Sequence, residues 1–337
     1  MRSARVLSPG HPDRACDIIA ETIVDEYVRR DPTASVRVRA CGGRGAMFVA
    51  GVASSTADFD VGAVVTRTAA SLGVRSHIEP FVSIEQVPGS FILEATRTHR
   101  PISVVGYASR ETDIRLPSTV DRAKRIAKRL EDLRNHDPEW FWFEPAFEVT
   151  VVERAHAEPV IYVACAHGER PLAEVRERIA DAASSIAPGM IVRANLHGGI
   201  RTNGLDQDVG ASGVMDEPYG SGIVVTGSSI GCDPSNPLKF GTWLARGLAK
   251  RALDRCIASD DPTRQGANAV LVRATYAPGD REPSYLSVRD DRGRDVSVKE
   301  DALAMAYAHL HPNLRLGLST NAAHWGFAGE VEMPWEG

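Results

Sequence analysis

The side chains best suited to chemistry stand together before an apolar helix, in the stretch Gly10-His11-Pro12-Asp13-Arg14. An imidazole, a carboxylate and a guanidinium within one turn can move a proton, hold a divalent cation and bind an anion. Pro12 suits a first helical position because the N–H it lacks has no partner there, and the free N–H groups of that turn attract anions. The alternative reading, in which Asp13 only caps the helix, stays open at this point.

Hydrophobic periodicity divides the rest of the chain into helices and strands. Ile19, Ile23 and Tyr27 repeat at helical spacing, and the alternating runs ASVRVRA and AMFVAGVAS across GGRG predict a hairpin. A helix capped by Ser55 or Thr56 is expected next. Each third of the chain holds strand pairs and one or two helices. We therefore predict an α+β fold of three similar units, with helices packed on mixed or antiparallel sheets, and domains over residues 1–97, 98–203 and 204–337.

Composition excludes several classes of protein. The net charge of −5 gives no reason to expect nucleic-acid binding, and no apolar run approaches the length that spans a bilayer. The first ten residues lack a signal-peptide core, and five cysteines fit neither a disulfide framework nor a zinc site. These features predict a cytoplasmic protein without membrane or nucleic-acid partners.

Further motifs join GHPDR in a fixed order along the chain. They are GYASRETDIRLP, GLDQDVGASG, GSSIGCDPSN, LARGLAKRALDRC, YAPGDREPSYLSV and HWGFAGEVEMPWE. Together they resemble the S-adenosylmethionine synthetase (methionine adenosyltransferase) family, from Leu7 to Glu336.

The resemblance implies a fold, an assembly and a reaction. It implies three similar α+β domains and a homodimer whose active sites lie between the subunits. In the reaction, the sulfur of methionine displaces triphosphate from C5′ of ATP. Because that leaving group carries about four negative charges, the site must hold cations and hydrogen-bond donors in advance. The family uses lysines, an arginine, magnesium and potassium there.

Several positions keep residues that match the motifs. His11 matches the histidine beside the scissile bond, and Asp13 matches a magnesium ligand, so magnesium is a possible cofactor. Arg14 replaces a lysine and keeps its charge. Gln86 matches a glutamine of a lid loop, and Asp208 matches an aspartate near the adenosine and methionine.

Other matched positions have lost the expected charge. Cys232 and Asn236 stand where the family has phosphate-binding lysines, and Asp233 between them matches either a loop aspartate or a turn residue. Arg39 replaces the potassium glutamate, which makes potassium an unlikely cofactor. Arg100 replaces an aspartate before the GYA strand.

The losses and the arginines together predict a repurposed pocket. The chain has only five lysines, whereas a set of arginines falls in or near segments that line the site in the family: Arg5, Arg14, Arg39, Arg44 and Arg100. The leading hypothesis is an enzyme that binds S-adenosylmethionine or a related adenosyl ligand and acts at its sulfonium, with His11 or Asp208 as general base. The alternatives are a genuine adenosyltransferase using ATP with methionine or another thioether, and a non-catalytic partner subunit of an active synthetase.

Overall fold

The computed structural model describes residues 1–88, 101–214, 217–225, 227–261, 265–278, 280, 282–298, 318–330 and 332–336. Arg100, one of the predicted ligand contacts, lies outside these residues. The strands are β1 (Arg2–Leu7), β2 (Ser35–Gly43), β3 (Ala46–Ser54), β4 (Glu79–Gln86), β5 (Ile102–Ser109), β6 (Phe147–Arg154), β7 (Ala157–Cys165), β8 (Ile191–Ala194), β9 (Val209–Ala211), β10 (Ala269–Tyr276) and β11 (Tyr285–Asp290). The α-helices are α1 (Pro12–Arg30), α2 (Val61–Ser71), α3 (Ser118–His136), α4 (Leu172–Ser184), α5 (Pro237–Ile257) and α6 (Ser319–Trp325).

These strands form three sheets, and helices cover one face of each. The first sheet has the order β1-β6-β7-β8 and packs against α3 and α4, and the second has the order β4-β3-β2-β9 and packs against α1 and α2. The third, β11-β10-β5, packs against α5 and is antiparallel throughout. The first two each combine antiparallel pairs with one parallel pair. The predicted α+β fold, with helices on mixed and antiparallel sheets, is confirmed.

Each sheet takes one strand from a distant part of the chain. β1 pairs with β6 in the first sheet, β9 pairs with β2 in the second, and β5 pairs with β10 in the third. The domain limits at 97/98 and 203/204 stay a prediction. The sheets themselves cross these limits, because long-range pairing joins strands that sequence order separates.

The predicted hairpin is present, and its turn explains one run of glycines. β2 and β3 pair from Ser35 opposite Ser54 to Gly43 opposite Ala46. Gly43, Arg44 and Gly45 all have positive φ, with Arg44 at 54°. Because side chains disfavour this conformation, the flanking glycines are what the tight reversal requires.

Within the described part of the chain, no helix is both long and apolar enough to cross a membrane.

The start of α2 differs from the prediction. Its N-cap is Asp60, whose Oδ1 accepts a hydrogen bond from the Ala63 N–H at 2.9 Å. Ser55 and Thr56 instead donate to the carboxylate of Asp31, Ser55 from its hydroxyl at 2.9 Å and Thr56 from its N–H at 2.8 Å. The prediction was wrong because a cap needs its acceptor one residue before the helix, and the helix starts at Val61.

Replacing Asp31 with asparagine is expected to lower the free energy of unfolding at pH 7 by about 2 kcal/mol. The buried carboxylate also accepts the Thr33 N–H and hydroxyl, at 2.9 and 2.6 Å. These bonds hold the pKa of Asp31 well below its usual range. The stabilisation is therefore present above pH 4 and is lost on acidification. Urea denaturation at pH 7 and pH 3.5 measures both effects.

Asp260→Asn, at an exposed position, is the control. An Asp31→Asn protein as stable as that control would contradict the prediction.

Candidate ligand-binding site at the start of α1

His11 caps α1, rather than Asp13. The His11 Nδ1 accepts a hydrogen bond from the Asp13 N–H at 3.3 Å, and the backbone N–H of His11 donates to the Ser8 carbonyl at 3.0 Å. Burial lowers the pKa of the His11 imidazole, so the ring is neutral at pH 7. With Nδ1 accepting, the single ring proton lies on Nε2. His11 therefore presents a hydrogen-bond donor to the site.

The first turn of α1 lies against the segment that contains Asp208. A Cβ at Gly210 would come within 2.2 Å of the Pro12 carbonyl oxygen, so β9 passes the helix at backbone contact. The Asp13 Oδ1 accepts the Ala211 N–H at 3.0 Å across this contact. Asp208, exposed and directly before β9, accepts only its neighbour's N–H, from Val209 at 2.8 Å, among the hydrogen bonds of the described residues. The structure thus brings the GHPDR turn and the Asp208 loop together.

A row of carboxylates at four-residue spacing runs along α1 and holds loops of the later chain. We call Asp13, Asp17, Glu21 and Asp25 the acidic row. Asp17 accepts the Gly213 N–H at 2.6 Å, Glu21 accepts the Gly231 N–H at 3.0 Å, and Asp25 accepts the Thr320 N–H at 2.8 Å. The sequence interpretation missed this row, although carboxylates four apart on an apolar helix were visible in the printed sequence.

Cys232, Asp233 and Asn236 lie in the segment that resembles the family's phosphate-binding loop. Their side chains are either neutral or hydrogen-bonded to nearby backbone. Cys232 is buried, and burial raises the pKa of its thiol. Asn236 is the N-cap of α5 and accepts the Leu238 N–H at 2.9 Å. Asp233 accepts the Val36 N–H at 2.9 Å with one oxygen and the Ser235 N–H at 2.8 Å with the other. In this structure Asp233 and Asn236 serve as turn and capping groups.

The lysines of the described residues are all engaged with carboxylates. Lys239 pairs with Glu21, and both are almost fully buried. Lys124 and Lys128 both pair with Glu330, at 3.0 and 2.7 Å. Lys250 pairs with Glu336 at 3.1 Å. Each of these ammonium groups already has a carboxylate partner, which offsets the positive charge that it could offer a phosphate chain.

Three other predicted contacts are spread over the second sheet. Arg39 donates to the carbonyls of Ser228 and Ile230, so its guanidinium holds the loop that precedes Gly231. Arg44 lies in the hairpin turn and donates to the Gln207 carbonyl at 2.9 Å. Gln86 ends β4 and hydrogen-bonds the Tyr27 hydroxyl. The structure brings Arg44 next to the Asp208 loop, whereas the side-chain contacts of Arg39 and Gln86 are with other parts of the fold.

The donors around Asp13 fit a magnesium ion poorly. Mg²⁺ takes oxygen ligands in octahedral geometry, and the described residues contain no group of three or more histidine, cysteine or acidic side chains placed for a metal. One Asp13 oxygen already accepts a backbone N–H. The expectations for magnesium and potassium stay predictions.

Two histidines near this site predict a loss of stability in acid. Burial lowers the pKa of both His11 and His324. The unfolded chain therefore takes up protons at a higher pH than the folded protein does. Stability is full above pH 6.5 and falls as the pH drops, by at most about 1.4 kcal/mol per pH unit for each histidine. His324→Gln is expected to flatten the curve of unfolding free energy between pH 7 and pH 5, measured by urea denaturation. The control is His156→Gln, at an exposed position, and equal slopes in the two variants would refute the assignment.

Comparison with known proteins agrees with the fold. The sequence model of the S-adenosylmethionine synthetase N-terminal domain matches residues 1–87. The S-adenosylmethionine synthase of Petrotoga mobilis is 25% identical over 98% of this chain and 94% of that protein. The synthase of Sorangium cellulosum is 27% identical over 98% of this chain and 86% of its own length, and that of Aquifex aeolicus is 22% identical over 100% and 96%.

The fold and the site define an α+β protein with three helix-covered sheets and a polar site at a helix N-terminus. Residues 1–87 match the N-terminal domain of the S-adenosylmethionine synthetase family, and the whole chain is similar to S-adenosylmethionine synthases at low identity.

Proposed function

We propose that this protein binds S-adenosylmethionine or a related adenosyl compound and cleaves a carbon–sulfur bond of its sulfonium, rather than expelling triphosphate from ATP. One observation carries the proposal. The loop that matches the family's phosphate-binding lysines holds Cys232 and Asn236, while the four described lysines are engaged in ion pairs.

The chemistry of the leaving group explains why such a site could dispense with cations. Triphosphate departs as a polyanion and needs positive charge in place around it. A sulfonium has the opposite requirement. When its C–S bond breaks, the bonding pair moves to sulfur, the positive charge disappears, and a neutral thioether departs. Lysines and magnesium contribute nothing to that step.

Roles for the site residues follow from their surroundings. Asp208 is the exposed carboxylate and serves as general base. In an elimination it takes a proton from the carbon β to the sulfonium, the C–H electrons form a double bond, and the thioether leaves. His11, neutral and with its proton on Nε2, donates a hydrogen bond to the substrate. Arg14 supplies positive charge for the carboxylate of the ligand.

Calorimetry and mass spectrometry test the proposal directly. S-adenosylmethionine should bind in the presence of EDTA, and incubation should release an adenosine thioether. Asp208→Asn is expected to lower kcat by about 10²–10⁴-fold, as for loss of a general base, with little change in affinity. The matched control is Glu158→Gln, at an exposed position, which should retain full activity.

Other outcomes identify the alternatives. Rapid formation of S-adenosylmethionine from ATP and methionine would contradict the proposal and favour an ordinary synthetase. Products from ATP and another thioether acid would favour an adenosyltransferase with an altered acceptor. Failure to bind any adenosyl compound, with capture of an active synthetase, would favour a partner subunit.

The proposed assembly is a homodimer that uses the open face of the second sheet. Phe48 and Phe81 are 57% and 50% exposed there and stack at 4.9 Å between ring centroids. Exposed paired aromatics on an uncovered sheet face suit an interface. Light scattering should give twice the chain mass for the protein and a monomer for Phe48→Ser. A monomeric unchanged protein would refute the assembly.

A further inference from the structure

A small cavity lies between β1, the first turn of α1, α3 and the turn after α6. Its volume is about 40 Å³, and a water molecule needs roughly 10–15 Å³ by the same measure. The space therefore suits a group of three or four heavy atoms, and it is far too small for a nucleotide. Charged side chains from four segments line it: Arg5, Arg14, Lys124 and Glu217.

Three of the four charged side chains that line the cavity are cations, and each is paired with a carboxylate that does not line it. Arg14 hydrogen-bonds Asp17 through Nη1 at 3.2 Å, and its buried Nε has no partner among the described residues. Lys124 donates to the Ala328 carbonyl and to Glu330. Burial nevertheless lowers the pKa of Lys124 to about 8. The third cation, Arg5, is paired with Glu148 at 2.7 Å.

The Arg14 Nε is therefore a donor without an acceptor, in a cavity that three cations line. A buried N–H that is unpaired costs about 1–3 kcal/mol, and holding cations out of water adds to that cost. A carboxylate in the cavity would supply the acceptor that the Arg14 Nε lacks. Guanidinium forks match carboxylates in shape.

We propose that the cavity between β1, α3 and the turn after α6 binds a carboxylate group through Arg14 and Lys124. The carboxylate belongs either to a small free acid or to an amino acid whose remainder extends outward. The inference rests on the cavity alone. It shares Arg14 with the sulfonium chemistry proposed above, but it is tested without an adenosyl ligand, so the two proposals can fail independently.

The test is thermal unfolding of the full-length protein in sodium acetate against sodium chloride at matched ionic strength. Acetate should raise the melting temperature saturably, and chloride should not. Lys124→Met should weaken the apparent acetate affinity at least tenfold. Lys128→Met is the matched control, because Lys128 shares Glu330 but does not line the cavity, and it should respond like the unchanged protein.

A second variant guards against misfolding of the first. Arg14→Lys retains the charge but removes the guanidinium Nε, so it should also lose acetate affinity while remaining folded by circular dichroism. A methionine arm then distinguishes the sources. Stabilisation by methionine that Lys124→Met abolishes indicates an amino-acid carboxylate, and a response to acetate alone indicates a free acid. Equal responses in the Lys124→Met and Lys128→Met proteins, or equal effects of acetate and chloride, would overturn the proposal.

Discussion

Replacing Arg246 with methionine is expected to lower the free energy of unfolding by about 3–5 kcal/mol, the usual cost of removing one partner from a buried ion pair. Arg246 is fully buried in α5. Its Nε and Nη2 donate to the two carboxylate oxygens of Glu336 at 2.8 and 2.9 Å. Nη1 donates to the carbonyls of Tyr107 and Arg115, and Nη2 also donates to the carbonyl of Ile114. One side chain therefore joins α5, the end of β5 and the C-terminal segment.

Methionine fills similar space but satisfies none of these acceptors, so the buried Glu336 would keep only the Lys250 ammonium and the Gly329 N–H among its described partners. Urea denaturation monitored by tryptophan fluorescence measures the loss, since Trp335 stacks on Trp243 next to this site. Arg255→Met, on the exposed face of the same helix, is the control. The double variant Arg246→Met with Glu336→Met should be more stable than Arg246→Met, because it removes a buried carboxylate that has lost its Arg246 partner. A single variant within about 1 kcal/mol of the unchanged protein would show that the network is not a major contributor to stability.

With ATP, methionine and magnesium, we expect the rate of S-adenosylmethionine formation to be at least about 10⁴-fold below that of the Petrotoga mobilis synthase. A charge-assisted hydrogen bond contributes about 1.5–3 kcal/mol, and the matched positions have lost about four such contacts. Even the lower total, about 6 kcal/mol, corresponds to roughly four factors of ten in rate. We use the lower total because neighbouring contacts are not additive.

Mass spectrometry of S-adenosylmethionine and a phosphate assay measure this difference, with the relative assayed in parallel as the positive control. Omitting methionine gives the background rate. A rate within tenfold of the relative would show that other groups, including residues outside the described part, replace the missing lysines. Such a rate would also contradict the proposed function.

The local patterns of the sequence predicted much of the fold. The period of Ile19, Ile23 and Tyr27 placed α1, and the alternation around GGRG placed the hairpin of β2 and β3. Short elements were missed: β9 and α6 have three and seven residues. They contain too few positions for a period to be recognised, and contacts with β2 and α1 stabilise them instead.

The candidate site was predictable only in part. The sequence singled out the GHPDR turn and Asp208, and the fold brings these two segments together. It also suggested ligand contacts at Asp233 and Asn236, whose polar atoms turn out to serve the backbone around them. A residue type does not reveal whether its hydrogen bonds are already satisfied, because the partners, such as Val36, come from distant positions.

Sequence by itself determined the resemblance to S-adenosylmethionine synthases, the α+β class and the scarcity of lysines, because residue identity and local periodicity carry that information. Only the tertiary structure decided which charged side chains remain available to a ligand. The acidic row of α1, the Glu21–Lys239 pair and the unpartnered Nε of Arg14 depend on side chains and loops far apart in sequence. Those long-range contacts determine which charged groups are buried and paired. Burial and pairing in turn determine whether a charged group stabilises the fold or can bind a ligand.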